Sequence, residues 1–136
     1  MTPEKLIELA IAARESAYAP YSGYRVGAAL LGKSGKVYLG CNIENASYTP
    51  TVCAERVAVF KAVSEGEREF EAIAVCGGNQ QEIAGSFPPC GVCRQVLREF
   101  CAPDDFKVYL IGAGGAYKTV TLSELLPYSF GPDFMK

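Results

Sequence analysis

The sequence predicts an α/β protein, a three-layer α/β/α sandwich around a mixed sheet of about five strands. Three observations lead there. The 136 residues are 49% hydrophobic, enough for one core and one domain spanning residues 1–136. Helix-like and strand-like stretches follow one another in the order α, β, β, α, β, α, β, β, α. Each strand, helix, strand step in that order favours a right-handed parallel crossover, which lays helices against a sheet.

Thr2, Pro3 and Glu4 form a helix start, and Leu6, Ile7, Ala10, Ala13 and Ala17 then recur on one face. This first helix is expected to end near Tyr18, ahead of the breakers Pro20, Ser22 and Gly23. Residues 25–31 and 36–43 flank the turn at Lys33, Ser34 and Gly35 and read as a β-hairpin. Residues 44–52 carry Asn45, Ser47 and Pro50 without a sustained period, so they form a loop. A helix follows over 53–64, closed by Gly66, and then a short apolar strand over 72–76. Residues 77–89 form a Gly- and Pro-marked loop of a length often kept for function. A helix over 90–100 and a strand over 107–111 come next, and a turn at 112–115 lets residues 118–121 pair back. Thr121 and Glu124 make a capping box ahead of Leu125 and Leu126. Tyr21, Tyr38 and Phe60 read as packing aromatics.

A net charge of -2 and a pI near 5.2 leave no basic surplus for a polyanion, so nucleic acid is not an expected partner. No window approaches the ~18 apolar residues that would span a bilayer. The N-terminal stretch mixes charges with apolar residues and resembles an amphipathic helix, not an export signal. The six cysteines are therefore expected as reduced thiols of a cytoplasmic protein. Histidine is absent, which removes the commonest metal ligand and the commonest general base together. Any metal site must rely on thiolates and carboxylates.

Two motifs meet that requirement. Cys53-Ala54-Glu55 and Pro89-Cys90-Gly91-Val92-Cys93 each stand where a loop enters a predicted helix. A C-x-x-C turn presents two sulfurs to one zinc while a third arrives from elsewhere, and three protein ligands leave the fourth position for water. Helix N-termini lower thiol pKa values and favour the bound anion. Cys53, Cys90 and Cys93 are thus the expected ligands of one Zn2+ per chain. Three thiolates around a dication leave surplus negative charge, which weakens the metal as a Lewis acid. Arg56 and Arg94 both stand beside ligand cysteines and can offset it by donating to sulfur, Arg56 being the favoured candidate. Glu55 need not be a ligand to reach the site; a carboxylate there can take a proton from water and deliver it to a leaving amine.

The motif pair resembles the zinc nucleoside deaminases, a class that includes three-cysteine forms. The likeness extends through Tyr18-Ala19-Pro20-Tyr21-Ser22, Asn42-Ile43-Glu44-Asn45-Ala46-Ser47-Tyr48 and Cys53-Ala54-Glu55-Arg56, which look like the small homotetrameric cytidine deaminases. The resemblance implies that Asn42 and Glu44 hold the ribose hydroxyls, that Tyr24 packs on the base where relatives commonly carry Phe, and that the Ala54 amide meets the base carbonyl. It also implies that Phe130 reaches a neighbouring subunit's pocket and that Tyr48 lies at a subunit junction. The reaction implied is hydrolysis of cytidine and deoxycytidine to uridine and deoxyuridine, a step of pyrimidine salvage, with Glu55 as the proton shuttle.

Two rival readings share parts of this pattern. An aminonucleoside deaminase of the blasticidin type shares both cysteine motifs, but the 42–48 segment favours an ordinary nucleoside. A noncatalytic domain would close the zinc tetrahedron with a fourth cysteine, whereas Cys41, Cys76 and Cys101 read as small core residues.

Overall fold

In the computed structural model, which describes residues 1–136, the chain begins with helix α1, Pro3–Ala13. Thr2 caps it by accepting from the Lys5 amide at 3.2 Å, and Pro3 sits in the first turn, where its missing N–H costs nothing. Leu6, Ile7, Ala10 and Ala13 make its buried stripe. The helix ends earlier than the pattern predicts, passing into a 3₁₀ turn over Arg14–Ser16. Tyr18 is drawn out of it by backbone pairing. Its amide donates to Asn42 O at 3.0 Å, and its carbonyl accepts from the Glu44 amide at 2.8 Å.

Five strands follow: β1 (Arg25–Gly32), β2 (Val37–Cys41), β3 (Phe70–Gly78), β4 (Lys107–Ile111) and β5 (Tyr117–Thr121). Between them lie α2 (Ala54–Ser64) after β2, α3 (Gly91–Phe100) after β3 and α4 (Leu122–Leu125) after β5. The sheet order is β2-β1-β3-β4-β5. Only β3 and β4 pair in parallel, joined by α3, and the other pairs are antiparallel. The step from β2 through α2 to β3 passes over β1, so it too links strands running in one direction. The sheet is mixed because β3 and β4 pair in parallel among otherwise antiparallel neighbours. The capping box at Thr121 and Glu124 is present, each satisfying the other's backbone amide.

Strand alternation sorts the core into two layers. Ala28, Leu30, Ile73, Val75, Val108 and Leu110 face α2, α3 and α4, where they meet Ala58, Val59, Ala62, Leu97 and Leu122. Ala29, Leu31, Ala72, Ala74, Cys76, Tyr109 and Ile111 face the stripe of α1. The result is the three-layer α/β/α arrangement. β3 runs longer than its apolar segment because it is flanked by β1 along its whole length, from Gly32–Phe70 to Arg25–Gly78. Tyr38 is buried, as a packing aromatic should be. Tyr21 and Phe60 are not: each is about half exposed, Phe60 because α2 turns that face to solvent. All six cysteines are free thiols, and no helix is long and apolar enough to cross a membrane.

Candidate active site

Cys53 and Cys90 occupy the same place in two helices. Each is the N-cap residue, with extended backbone angles (φ -78°, ψ 156° and φ -68°, ψ 168°), and neither sulfur is used to cap its own helix. A Ser or Asp there would spend its oxygen on the helix amides, whereas cysteine leaves its sulfur for another partner. Cys93, one turn along α3, points its buried thiol to the same spot. The three Sγ atoms lie within 4.8 Å of one another, with Cys53 and Cys90 3.6 Å apart. Tetrahedral zinc with Zn–S bonds of about 2.3 Å sets its sulfurs about 3.8 Å apart, so the spacing suits that metal. Cys76 and Cys101 are buried in the two core layers as expected, whereas Cys41 is only half-buried because it ends the edge strand β2; no fourth cysteine joins the cluster.

The position of α2 over the sheet depends on Gly40. A Cβ there would stand 2.2 Å from Ala54 O and 2.7 Å from Ala58 N, so only glycine lets the first turn of α2 rest on β2. That turn carries Ala54, Glu55 and Arg56. Arg56 donates from Nη2 to Cys53 Sγ at 3.5 Å. Arg94 does not touch the sulfurs; it donates to Pro89 O and Leu125 O, each at 2.7 Å, and so braces the loop that delivers Cys90.

The charge distribution among the thiols is uneven. The Cys53 thiol is pushed down to about 5, first by the hydrogen bond from Cys93, with further help from Arg56 and Cys90 against the cost of burial. Cys93 is correspondingly held far above the usual thiol range, by sharing its proton with Cys53 and by burial. A dication taking all three sulfurs must displace the remaining protons, which makes its binding weaker in acid.

Glu55 is 3% exposed, and its Oε1 is buried without a hydrogen-bond partner. Burial pushes its carboxyl up to about 7, the Cys53 charge adding to the rise and Arg56 opposing it. A buried carboxylate left unsatisfied costs about 1–3 kcal/mol, so its retention beside three thiols points to a partner such as water held at a metal. The donor set, the sulfur spacing and this orphaned oxygen together fit zinc.

Asn42 is nearly buried and already committed to the backbone. Its Oδ1 accepts from the Val26 amide and its Nδ2 donates to Tyr24 O, both at 2.8 Å. One amide hydrogen and one lone pair remain for other work. Glu44 accepts from the amides of Tyr21 and Ser22 at 2.9 and 3.1 Å and from the Ser22 hydroxyl, which holds its carboxyl below the usual range. Tyr21, Asn45, Tyr48 and Thr51 join Glu44 and Ser22 around a cavity of about 240 Å³. Tyr24 follows Ser22 closely, half exposed, with its ring against Phe87. Phe130 is apart from this group; its ring stacks on Phe134 with centroids 5.4 Å apart, and its carbonyl accepts from Gln95 Nε2 on α3. Another cavity, of about 490 Å³, lies at the other end of the sheet among Met1, Leu6, Leu31, Phe70, Phe100 and Tyr109, and none of Cys53, Cys90 and Cys93 lines it.

Sequence reasoning missed Ser22, Phe87 and Arg14. Ser22 and Arg14 act through backbone and carboxylate contacts distant in the chain, which no local pattern reveals. Phe87 stands three residues before Cys90 in a loop without periodicity, and only its nearness to the Pro-Pro-Cys run could have drawn notice.

Comparison with known proteins agrees with this geometry. The model of the cytidine and deoxycytidylate deaminase zinc-binding region matches residues 1–109. A cytidine deaminase of Halalkalibacterium halodurans is 53% identical over 135 residues, covering 99% of this chain and 98% of the relative. One from Sporosarcina psychrophila is 49% identical over 133 residues, covering 98% and 94%. The crystal structure of cytidine deaminase from Burkholderia pseudomallei superposes with a TM-score of 0.87 at 48% identity, covering 96% of this chain and all of that one. The chain belongs to the zinc-dependent cytidine and deoxycytidylate deaminase family.

Proposed function

We propose that residues 1–136 form a single catalytic domain that hydrolyses cytidine and deoxycytidine to uridine and deoxyuridine, releasing ammonia. The observation that carries this reading is the buried Glu55 carboxylate, without a partner on Oε1, beside three convergent sulfurs. Cys53, Cys90 and Cys93 would hold the zinc, which would supply Lewis acidity toward water in the pocket.

The chain's own groups account for the rest. Glu55, held near neutrality by burial, accepts the proton released as water adds to the amine-bearing carbon and passes it to the adjacent ring nitrogen. The carboxylate then takes the proton of the newly added hydroxyl and delivers it to the amine, so that the C–N bond breaks, ammonia leaves and the hydroxyl oxygen becomes the carbonyl of the product. Arg56 draws electron density from Cys53 and so moderates the negative charge of the sulfur set. Ala54, fully buried, opens α2, so its amide has no partner within the helix, and in this reading it meets the base carbonyl. Asn42 and Glu44 hold the ribose hydroxyls, and Tyr24 packs on the pyrimidine face.

Assembly as a homotetramer completes the pocket in this reading, with Phe130 supplied across a subunit boundary and Tyr48 at the junction. Its support is the exposure of Tyr48 and Tyr128 and of the stacked pair Phe130 and Phe134. Free thiols throughout suit a cytoplasmic role in pyrimidine salvage.

Parallel assays with cytidine, deoxycytidine, blasticidin S and a cytosine-containing oligonucleotide test the substrate class. Turnover is expected for the two free nucleosides. Turnover confined to blasticidin S or to the oligonucleotide would overturn the reading.

A further inference from the structure

The connection between β3 and α3, residues 79–90, delivers Cys90 to the sulfur cluster, and it is anchored at both ends. At its start stands Arg14, 4% exposed and without a carboxylate partner. Its guanidinium donates to Arg25 O at 3.2 Å, to Glu82 O at 3.3 Å and to Asn79 O. Asn79 Oδ1 accepts from the amides of Gln81 and Glu82, both at 2.9 Å, and the Ala84 amide donates to Gly77 O at 3.1 Å. At its end Pro89 is fully buried, and Arg94 holds its carbonyl.

Phe87 lies between these anchors, and its ring rests on the backbone of Gly77. A Cβ at Gly77 would stand 2.5 Å from Phe87 Cδ2, so glycine is required there by close approach. The same ring meets Tyr24, with centroids 5.9 Å apart and planes inclined at 48°. Tyr24 is fixed through its backbone, by Asn42 Nδ2 on its carbonyl and by Ser22 Oγ on its amide at 3.0 Å. Its half-exposed ring has only side-chain packing to hold it, and Phe87 provides that packing.

We propose that Phe87 is a positioning residue for the nucleoside, bracing the Tyr24 ring so that it offers a set face to the pyrimidine. This rests on the reading in which Tyr24 packs on the base. A ring already held loses less freedom when a ligand stacks on it, so the benefit falls on binding. Such a brace favours bound substrate and transition state alike and leaves the proton-transfer step untouched.

The test is a double-mutant cycle of Phe87→Ala, Tyr24→Ala and the pair, with KM and kcat for cytidine and the calorimetric Kd for uridine. Phe87→Ala is expected to raise both KM and Kd about three- to tenfold, the range of an aromatic pair, with kcat within about twofold and zinc content unchanged. Phe87→Tyr restores both, and Phe87→Leu, which keeps apolar bulk if the alanine variant folds poorly, falls between. In the Tyr24→Ala background, Phe87→Ala adds nothing further.

Unchanged KM and Kd, or the same factor in both backgrounds, would overturn the brace. So would a fall in kcat with loss of zinc, which would assign Phe87 to the delivery of Cys90 instead. Failure of the wild-type chain to act on cytidine and to bind uridine would overturn the substrate reading as well, whereas failure of the cycle alone sinks only Phe87.

Discussion

Glu55 holds a place that burial makes costly for a carboxylate, and the proposed proton shuttle would account for that cost. Glu55→Gln keeps the volume and the burial but cannot carry a proton. It should retain zinc while kcat falls by about 10²–10⁴-fold, measured alongside metal content; near-normal turnover would remove Glu55 from the reaction. The cysteines and Glu55 were legible in the sequence because few side chains can hold zinc, and without histidine the choice narrows to sulfur. The sequence favoured Arg56 over Arg94 without deciding between them, since both follow motif residues directly. Distance separates them: one reaches Cys53, the other is spent on two carbonyls. Asn42 was legible as a candidate for ribose, but not as the residue that ties Val26 and Tyr24 together. Long-range bonds to backbone leave no mark on local pattern.

At the scale of elements, the site is an arrangement of two helix N-termini against the sheet, and Gly40 sets the height of one of them. Gly40→Ala should force α2 outward, lowering stability by about 1–3 kcal/mol in thermal unfolding and weakening zinc retention. Wild-type stability and metal content would contradict the close-packing argument. The C-terminal tail depends on one buried guanidinium: Arg98 donates to Ser129 Oγ and Asp133 Oδ1, each at 2.8 Å, and Gly131 lies against it. The Asp133 carboxyl is held below its ordinary range, chiefly by the hydrogen bond from Arg98. Its contribution is complete above the ordinary aspartate range and is lost as pH falls through the lowered value. In acid, ring-proton shifts of Phe130 and Phe134 should therefore move before the core melts. Shifts that change only with global unfolding would contradict this. Helix starts were well marked by Thr2, Cys53, Cys90 and Thr121, whereas the end of α1 was not, because Tyr18 answers to pairing with residues 42–44.

For the molecule as a whole, a mixed sheet between helices was legible from element order, whereas which face meets α1 and which meets α2 and α3 shows only in the alternation along β1, β3 and β4. Strand order was not legible either: no local signal says that β1 separates β2 from β3. The exposed aromatics pose the question of assembly at this scale. Sedimentation of the zinc-loaded protein should give a tetramer; a stable monomer would sink both the assembly and the shared role of Phe130. The central claim is that three sulfurs and one buried carboxylate make a hydrolytic deaminase, and ultraviolet absorbance of cytidine tests it most directly. Purified protein should convert cytidine to uridine, stop when zinc is stripped, and resume when zinc alone is returned. Zinc-replete, folded protein that leaves the cytidine spectrum unchanged would contradict the account.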